Sequence, residues 1–145
     1  MKKIIFLTPI LILMLGLAFF KSNITGQTVT QENVIDVNIK TPFSLIVCDH
    51  KILLTPFGNE EMGLNEKQEI YVKKTVNLKK PPTLKDIFNI GGIYFDTFCI
   101  GPYCAGDSCP NNPRSDLILL VNGAENKEYE KHALTQNEII QIRFE

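Results

Sequence analysis

The sequence predicts an α+β fold, in which one helix crosses a mixed sheet, preceded by an N-terminal membrane helix. The uncharged apolar run Ile4–Phe20 predicts the membrane helix. Further along, β-rich runs of five to seven residues alternate with turn residues, and one short segment beginning at Leu84 has the apolar spacing and the N-cap of a helix. One helix lying across a sheet is the economical way to bury the apolar faces of both.

The N-terminal run has the length of a short membrane span. Lys2 and Lys3 precede Ile4–Phe20, whose 17 residues carry no charge. At about 1.5 Å per residue such a helix spans roughly 25 Å, the low end of what crosses a hydrocarbon core. A cleavable signal peptide has a shorter apolar core and small residues at its cleavage site, for which Gly16-Leu17-Ala18 is a weak match. We therefore predict a signal anchor over residues 1–21, with a cleaved signal peptide as the alternative.

The charges flanking this run predict its orientation. Lys2, Lys3 and the terminal amine outweigh Lys21, so the N-terminus stays inside and the rest of the chain lies outside the cytoplasm. Residues 22–32 are polar and lack apolar periodicity, which predicts a stalk, and residues 33–145 form one extracytoplasmic domain. We expect a single-pass anchored protein, or a secreted one if the segment is cleaved.

The charge of the exported part argues against nucleic acid as a partner. Removing Lys2 and Lys3 from the 15 Lys and Arg residues leaves 13 against 16 Asp and Glu residues, a formal charge of −3. A nucleic-acid-binding domain needs a dense basic face to offset the phosphate charge.

The first half of the domain contains three predicted strands and the helix. Phe43–Cys48 and Lys51–Thr55 flank Asp49-His50 and predict a hairpin with a two-residue turn. Glu69–Lys73 alternates polar and apolar residues as a half-buried edge strand does. The helix is predicted over Leu84–Asn89.

Several local signals define this helix. Thr83 is a suitable N-cap, and Asp86 occupies the capping-box position three residues later. Gly91-Gly92 favours a left-handed ending. The apolar residues expected on its buried side are Leu84, Ile87 and Phe88.

The second half is predicted as strands around a long loop. Ile93–Cys99 is expected to form a strand and Gly101–Asp116 a loop. Leu117–Val121 is a strand that Asn122-Gly123 turns. The last strand, Glu138–Phe144, has one apolar face, which consists of Ile140, Ile142 and Phe144.

The order of these elements, together with the C-terminal part of the sequence, resembles the β-grasp group. The residues that carry the resemblance are Leu119–Gly123, Tyr129, Leu134 and Asn137–Phe144, which are similar to the C-terminal half of β-grasp surface modules of the transcobalamin C-terminal type. Thr83–Phe88 followed by Gly92-Ile93 resembles the helix and strand entry of small membrane-anchored archaeal proteins of unassigned function. The resemblance covers residues 38–145 and implies a β-grasp-like sheet.

The archaeal group also has a pattern that this chain lacks. A His-x-His-x-Asp motif often opens its first strand, where a metal role is plausible. The matching positions here are Asn38, Lys40 and Pro42, so any metal site at that strand is lost in this chain.

The four cysteines all fall in the exported part. An even count in an oxidising compartment predicts two disulfides among Cys48, Cys99, Cys104 and Cys109. We expect Cys99 to pair with Cys109 or with Cys104, because the strand ends that flank the loop should be neighbours. Cys48 then takes whichever cysteine remains.

The same residues allow a second interpretation, a metal site. The ligand set would be Cys48, His50, Cys99, Cys104 and Cys109, holding zinc or copper at the outer membrane face. The four-residue spacing from Cys99 to Cys104 and again to Cys109 differs from the usual zinc and iron–sulfur patterns. The default is therefore that no cofactor is bound.

Nothing in the sequence indicates catalysis. His50 is expected to be a solvated turn residue and His132 a surface residue. No nucleophile–base pair, glycine-rich phosphate loop or paired carboxylates stand out, so we do not expect an enzyme.

The sequence thus predicts a membrane-tethered binding or assembly module, an accessory part of a membrane complex or a ligand-binding domain. The strand Glu69–Lys73, if it is an edge, offers a place for a partner strand. The alternative is the metal-binding protein described above.

Overall fold

A computed structural model describes residues 34–145 of the chain. Within this range lie ten strands, one α-helix and one short 3₁₀ helix over Tyr129–Lys131. The strands and the α-helix, in chain order, are β1 (Val34–Val47), β2 (His50–Ile52), β3 (Phe57–Gly58), β4 (Met62–Leu64), β5 (Glu69–Asn77), α1 (Leu84–Ile90), β6 (Cys99–Ile100), β7 (Tyr103–Cys104), β8 (Leu117–Val121), β9 (Ala124–Glu125) and β10 (Ile140–Phe144). The predicted α+β class, a mixed sheet with one α-helix, is confirmed for these residues.

The long strand β1 organises the main sheet. The strand order is β3-β4-β5-β1-β10-β8-β9, and β2 pairs with β1 beside this path. The first part of β1, Val34–Pro42, pairs antiparallel with β5. Its last part, Phe43–Val47, pairs parallel with β10 and, on the other side, antiparallel with β2 over Leu45–Val47. The small hairpin of β6 and β7 forms a second, separate sheet.

The core lies between the main sheet and α1. Phe88 of α1 packs edge-on against Phe43, with ring centroids 5.6 Å apart, and against Phe95 at 5.1 Å. The predicted capping box is present, because the Thr83 side chain accepts from the Asp86 N–H and the Asp86 carboxylate accepts from the Thr83 N–H. The helix side chains predicted to be buried are buried, namely Leu84, Ile87 and Phe88.

Two strand predictions in the second half are confirmed, although β10 begins at Ile140, two residues after the predicted start at Glu138. The strand β8 has the predicted bounds, and both residues of the turn that follows have positive φ, 53° at Asn122 and 81° at Gly123, as a type I′ turn requires. The predicted apolar face of β10 is buried, with Ile140, Ile142 and Phe144 on it.

The predicted turn of the first hairpin is wrong by one residue. The turn consists of Cys48 and Asp49, whose φ angles are 49° and 67°, and His50 already belongs to β2, where it pairs with Val47. The backbone twist of a two-residue hairpin requires positive φ at both turn positions, and aspartate accepts this region more readily than most residues.

The prediction that Glu69–Lys73 is an edge strand is wrong. β5 runs on to Asn77, and its residues Ile70–Val72 lie between β1 and β4. The alternating pattern therefore reflects one buried face and one exposed face of an internal strand, since polar residues alternate outward wherever one face of a sheet meets solvent.

The predicted strand over Ile93–Cys99 is also wrong. Only Cys99–Ile100 belongs to a strand, and Phe95 makes an isolated bridge with Ile100, because the chain bends at Asp96. One carboxylate oxygen of Asp96 accepts the N–H groups of Phe98 and Cys99, both at 2.8 Å. Such a side-chain bond to nearby backbone competes with strand pairing.

The predictions about the membrane segment concern residues before Val34, where the described range begins. The anchor over residues 1–21, the run Ile4–Phe20 and the stalk over residues 22–32 lie outside the described range. Within residues 34–145, no helix has the length and apolar character needed to span a membrane.

Candidate functional site

One disulfide joins two distant parts of the domain. Cys48, in the turn between β1 and β2, is bonded to Cys109 in the loop before β8, 61 residues later, and their Cα atoms are 5.3 Å apart. Cys109 is buried in the core cluster. The bond fixes an otherwise irregular loop to the end of β1.

The other disulfide closes a small hairpin. Cys99 in β6 lies directly across from Cys104 in β7, and the two are bonded. Between these strands the chain turns at Gly101-Pro102, where Gly101 has a φ of 56° that suits glycine. The N–H of Gly101 donates to the Tyr94 carbonyl at 2.7 Å, which attaches the hairpin to the segment after α1.

These two bonds answer the question of pairing that the sequence left open. Cys99 is bonded to Cys104, one of its two expected partners, and Cys48 takes the remaining Cys109. Among the described residues there is no free cysteine.

The five candidate metal ligands are divided between two places. His50 is exposed, as expected, and lines a cleft together with Cys48 and Cys109, whereas Cys99 and Cys104 lie in the separate hairpin. Within residues 34–145, no group of three or more His, Cys, Asp or Glu side chains is placed to hold a metal ion. Metal ligation by cysteine needs thiolates, so a metal site made from these residues requires the disulfides to be reduced first. That alternative stays a prediction.

A groove with a largely apolar lining opens beside the Cys99–Cys104 hairpin. Its volume is about 500 Å³, within the range typical of ligand pockets. Leu45 and Ile100, both buried, form its floor. Its walls come from the strand and segment after the first hairpin turn, the segment after α1, and the turn of the second hairpin, and consist of Ile52, Leu54, Gly92, Ile93, Tyr94, Gly101, Pro102 and Tyr103.

Side-chain bonds hold one wall of this groove in place. The amide of Gln68 makes two hydrogen bonds to the backbone of Leu54, accepting its N–H at 3.0 Å and donating to its carbonyl at 2.9 Å. Leu54 lies outside any strand, so these bonds replace the ladder that would otherwise fix it.

The opposite wall is fixed by the end of the helix. The N–H of Ile93 donates to the carbonyl of Phe88 at 2.9 Å, and Gly92 adopts a left-handed φ of 65°. This ending turns Ile93 and Tyr94 towards the groove. The groove is therefore largely pre-formed, which reduces the conformational entropy that the protein loses when a ligand or partner binds there.

A polar pair lies at the rim. Tyr94 is 60 % exposed, and its hydroxyl donates to Oδ2 of Asp96 at 2.5 Å. This hydrogen bond lowers the pKa of the Asp96 carboxyl and raises the pKa of the Tyr94 hydroxyl. The N–H groups of Phe98 and Cys99 lower the pKa of Asp96 further.

The sequence interpretation missed the groove. Its residues come from four separate stretches of the chain and include neither histidine nor acidic residues, so no spacing motif marks them. The only local signal was the Gly101-Pro102-Tyr103 turn between two cysteines.

The prediction that His132 is a surface residue is wrong. Only 8 % of it is exposed, and its Nε2 lies 3.1 Å from Oε2 of Glu138, which is itself 4 % exposed. The 3₁₀ helix ends just before His132 and turns it inward. Glu138 was not singled out from the sequence, because its place next to an apolar strand looks like an ordinary strand end.

Comparison with models of protein families, with curated proteins and with solved structures finds no match to this chain. The geometry described above is therefore the basis for assigning a function.

Proposed function

We propose that residues 33–145 form an extracytoplasmic binding or assembly module without catalysis of its own, held at the membrane by Ile4–Phe20. Its binding surface is the apolar groove between the two hairpins and the end of α1. The observation that carries this proposal is the way in which the groove is built. Its walls come from distant segments, and a disulfide, the Gln68 amide and the helix end hold them in position.

The strand order supports a β-grasp fold for this module. β1 and β10 are parallel neighbours, β5 and β8 flank them antiparallel, and α1 falls between β5 and β8 in the chain. A β-grasp places its first and last strands together at the centre of the sheet in this way. The fold then acts as a scaffold, and the loops and hairpins at its end form the site.

The disulfides support the proposed location. Stable disulfides are frequent in exported proteins and rare in the reducing cytosol. Both bonds of this domain are compatible with a place outside the cytoplasm. The charge of the N-terminal segment predicts the same side of the membrane.

The chemistry of the groove favours an apolar occupant. Its floor and most of its wall side chains are hydrocarbon or aromatic, and the Tyr94–Asp96 pair is a polar feature at its rim. An aromatic or branched side chain of a membrane-complex subunit would be buried against these residues, and the exposed Tyr94 ring would contact it at the rim. Tyrosine is a common anchor in such contacts.

Photo-crosslinking tests this proposal. The experiment uses the full-length protein in the membranes of the cells that produce it. A benzoylphenylalanine placed at Tyr94 or at Pro102 should give one adduct of defined mass, and the same probe at the exposed Glu60 should give none. Ile52→Glu places a charge in the groove and should abolish both adducts. Equal labelling from Tyr94 and Glu60, or adducts that survive Ile52→Glu, would show that the groove is not the binding surface.

A further inference from the structure

The first part of β1 has an edge that no other described strand covers. β5 pairs with one side of Val34–Pro42, but β10 begins opposite Phe43, so no strand among residues 34–145 pairs with the other side. The side chains of Asp36, Asn38 and Lys40 on this stretch are exposed. An unpaired edge of this length is a template for another strand.

The direction of the backbone groups follows from two hydrogen bonds of β1 and its turn, just beyond Pro42. The N–H of Phe43 points towards β5, because it donates to the Gln68 carbonyl at 2.8 Å. The N–H of Cys48 points the opposite way and donates to the Phe144 carbonyl of β10 at 2.8 Å. Backbone groups alternate along a strand, so those of even-numbered residues face the β10 side. At Asp36, Asn38 and Lys40 these groups face the free edge.

We propose that two copies of this chain pair antiparallel through this edge, centred on Asn38, to form one continuous sheet. In this register Asn38 lies opposite Asn38 of the second copy. Asp36 lies opposite Lys40 of the second copy, and Lys40 opposite its Asp36. The two copies are related by a twofold axis, as an isologous interface requires.

Charge complementarity selects a second copy as the partner. Asp36, Asn38 and Lys40 project on the same exposed face of β1, so the register places one opposite-charge pair on each side of the central Asn38 pair. Directly opposed pairs of this kind stabilise an antiparallel ladder, whereas like charges oppose it. The sequence Asp-x-Asn-x-Lys is complementary to its own reverse, which a foreign strand has no reason to match.

The other face of the strand contributes apolar contact. The side chains of Ile35, Val37 and Ile39 alternate with the charged ones and point to the core side. Ile35 is nevertheless 43 % exposed at the end of the sheet. In the same register Val37 lies opposite Ile39 of the second copy, so pairing extends the apolar layer across the interface.

Pro42 limits the length of the ladder, and the Asp36–Lys40 pairs fix its register. Proline has no N–H, so it cannot donate to a strand on the free edge. Its position opposite Val34 of the second copy leaves this gap at the outermost pair. A shift of the register by two residues in either direction would end the Asp36–Lys40 pairing.

Zero-length crosslinking of the unmodified full-length protein tests this pairing directly. A carbodiimide joins a carboxylate to an amine only when they touch. Within one chain Asp36 and Lys40 are four strand residues, or about 13 Å, apart and cannot react. In membranes containing a mixture of ¹⁵N-labelled and unlabelled chains, we expect a peptide that links Asp36 to Lys40 with one heavy and one light partner. The absence of this mixed peptide would overturn the proposal.

Single cysteines test the register independently. Asn38→Cys should form a disulfide between copies, since opposed strand residues about 5.5 Å apart lie within disulfide range. Asp36→Cys mixed with Lys40→Cys should form a mixed dimer, while Asp36→Cys alone should not. Glu60→Cys, exposed in the loop between β3 and β4, is the collision control. Equal dimer yields from Asn38→Cys and Glu60→Cys would contradict the pairing. Peptide mapping verifies that both native disulfides are intact.

Charge reversal separates a specific interface from chance contact. Asp36→Lys places two like-charge pairs opposite each other and should reduce the Asn38→Cys dimer about fivefold or more. Lys40→Asp should do the same, and the double reversal should restore the yield. Failure of the double reversal to restore the dimer would overturn the register. The groove lies at the other end of β1, so its crosslinks from Tyr94 report on the proposed function separately.

Discussion

His132 and Glu138 form a buried hydrogen-bonded pair, with Nε2 and Oε2 3.1 Å apart. The Glu138 carboxylate also accepts the N–H and the hydroxyl of Thr135, both at 2.9 Å. On its other ring nitrogen, His132 meets the amide of Asn126 at 3.2 Å. The pair thus ties the 3₁₀ helix to the start of β10.

Removal of one partner should destabilise the domain strongly. Glu138→Ala leaves the buried His132 ring without its partner and removes the acceptor of the two Thr135 donors, and we expect a loss of about 3 kcal/mol in the free energy of unfolding. Glu128→Ala is the matched control. Its carboxylate lies 3.4 Å from the same ring but its side chain is 65 % exposed, so the expected loss is below about 1 kcal/mol. Urea unfolding of the detergent-solubilised protein measures both losses, and equal losses would contradict the structural role of the pair.

The two disulfides should differ in their effect on stability. In the chain-entropy account, removing the Cys48–Cys109 bond, which closes a loop of 61 residues, costs about 4 kcal/mol, and removing the short Cys99–Cys104 bond costs about 2 kcal/mol. Replacing each pair by alanines and comparing urea midpoints tests this order. A larger loss from the short loop would show that native-state packing of the second hairpin, rather than loop length, determines the effect.

The polar rim of the groove should respond to pH through Asp96. The Tyr94 hydroxyl stabilises the charged carboxylate, so the folded pKa of Asp96 lies below its ordinary value of 3.8. A lowered folded pKa means that the contribution is present above the unfolded pKa and is lost as the pH falls through the folded one. Tyr94→Phe should raise the pKa of Asp96, measured by carbon NMR titration of its carboxyl. An unchanged titration in Tyr94→Phe would exclude the hydrogen bond.

Loss of the Gln68 amide should affect the position of the Leu54 wall of the groove more than it affects the folding of the domain. Gln68→Ala removes both bonds to Leu54, so hydrogen exchange at the Leu54 amide should rise and crosslinking from a probe at Tyr94 should fall. Gln68→Glu keeps an acceptor for the Leu54 N–H but loses the donor. Its exchange rate at the Leu54 amide and its crosslinking yield should lie between those of the unmodified protein and those of Gln68→Ala. Unchanged crosslinking in Gln68→Ala would mean that this wall is rigid without the amide.

Local sequence signals predicted much of the fold. The Thr83–Asp86 capping box, the Asn122-Gly123 turn and the alternation in β10 each depend on residues within one element, and each is confirmed. The β-rich hairpin was found for the same reason, although positive φ at Cys48 and Asp49 shifted its turn.

The wrong predictions depend on contacts that the pattern within one element does not show. Nothing in Glu69–Lys73 itself reveals that β4 covers its outer side, and nothing near His132 indicates Glu138 as its partner. The bend at Asp96 depends on a side chain that accepts from the backbone and overrides the β propensity of Ile93–Cys99. The groove depends on four stretches of the chain that only the tertiary structure brings together.

In the module that we propose to be exported, Cys48–Cys109 and Cys99–Cys104 fix the two hairpins. The most direct test is thiol labelling with intact mass spectrometry and peptide mapping on the full-length protein, purified from membranes without reductant or chelator. We predict a mass four hydrogen atoms below that of the fully reduced chain, no labelled thiol, and these two pairings. Labelled cysteines that become protected when zinc or copper is added would contradict the claim and favour a metal site at Cys48, His50, Cys99, Cys104 and Cys109.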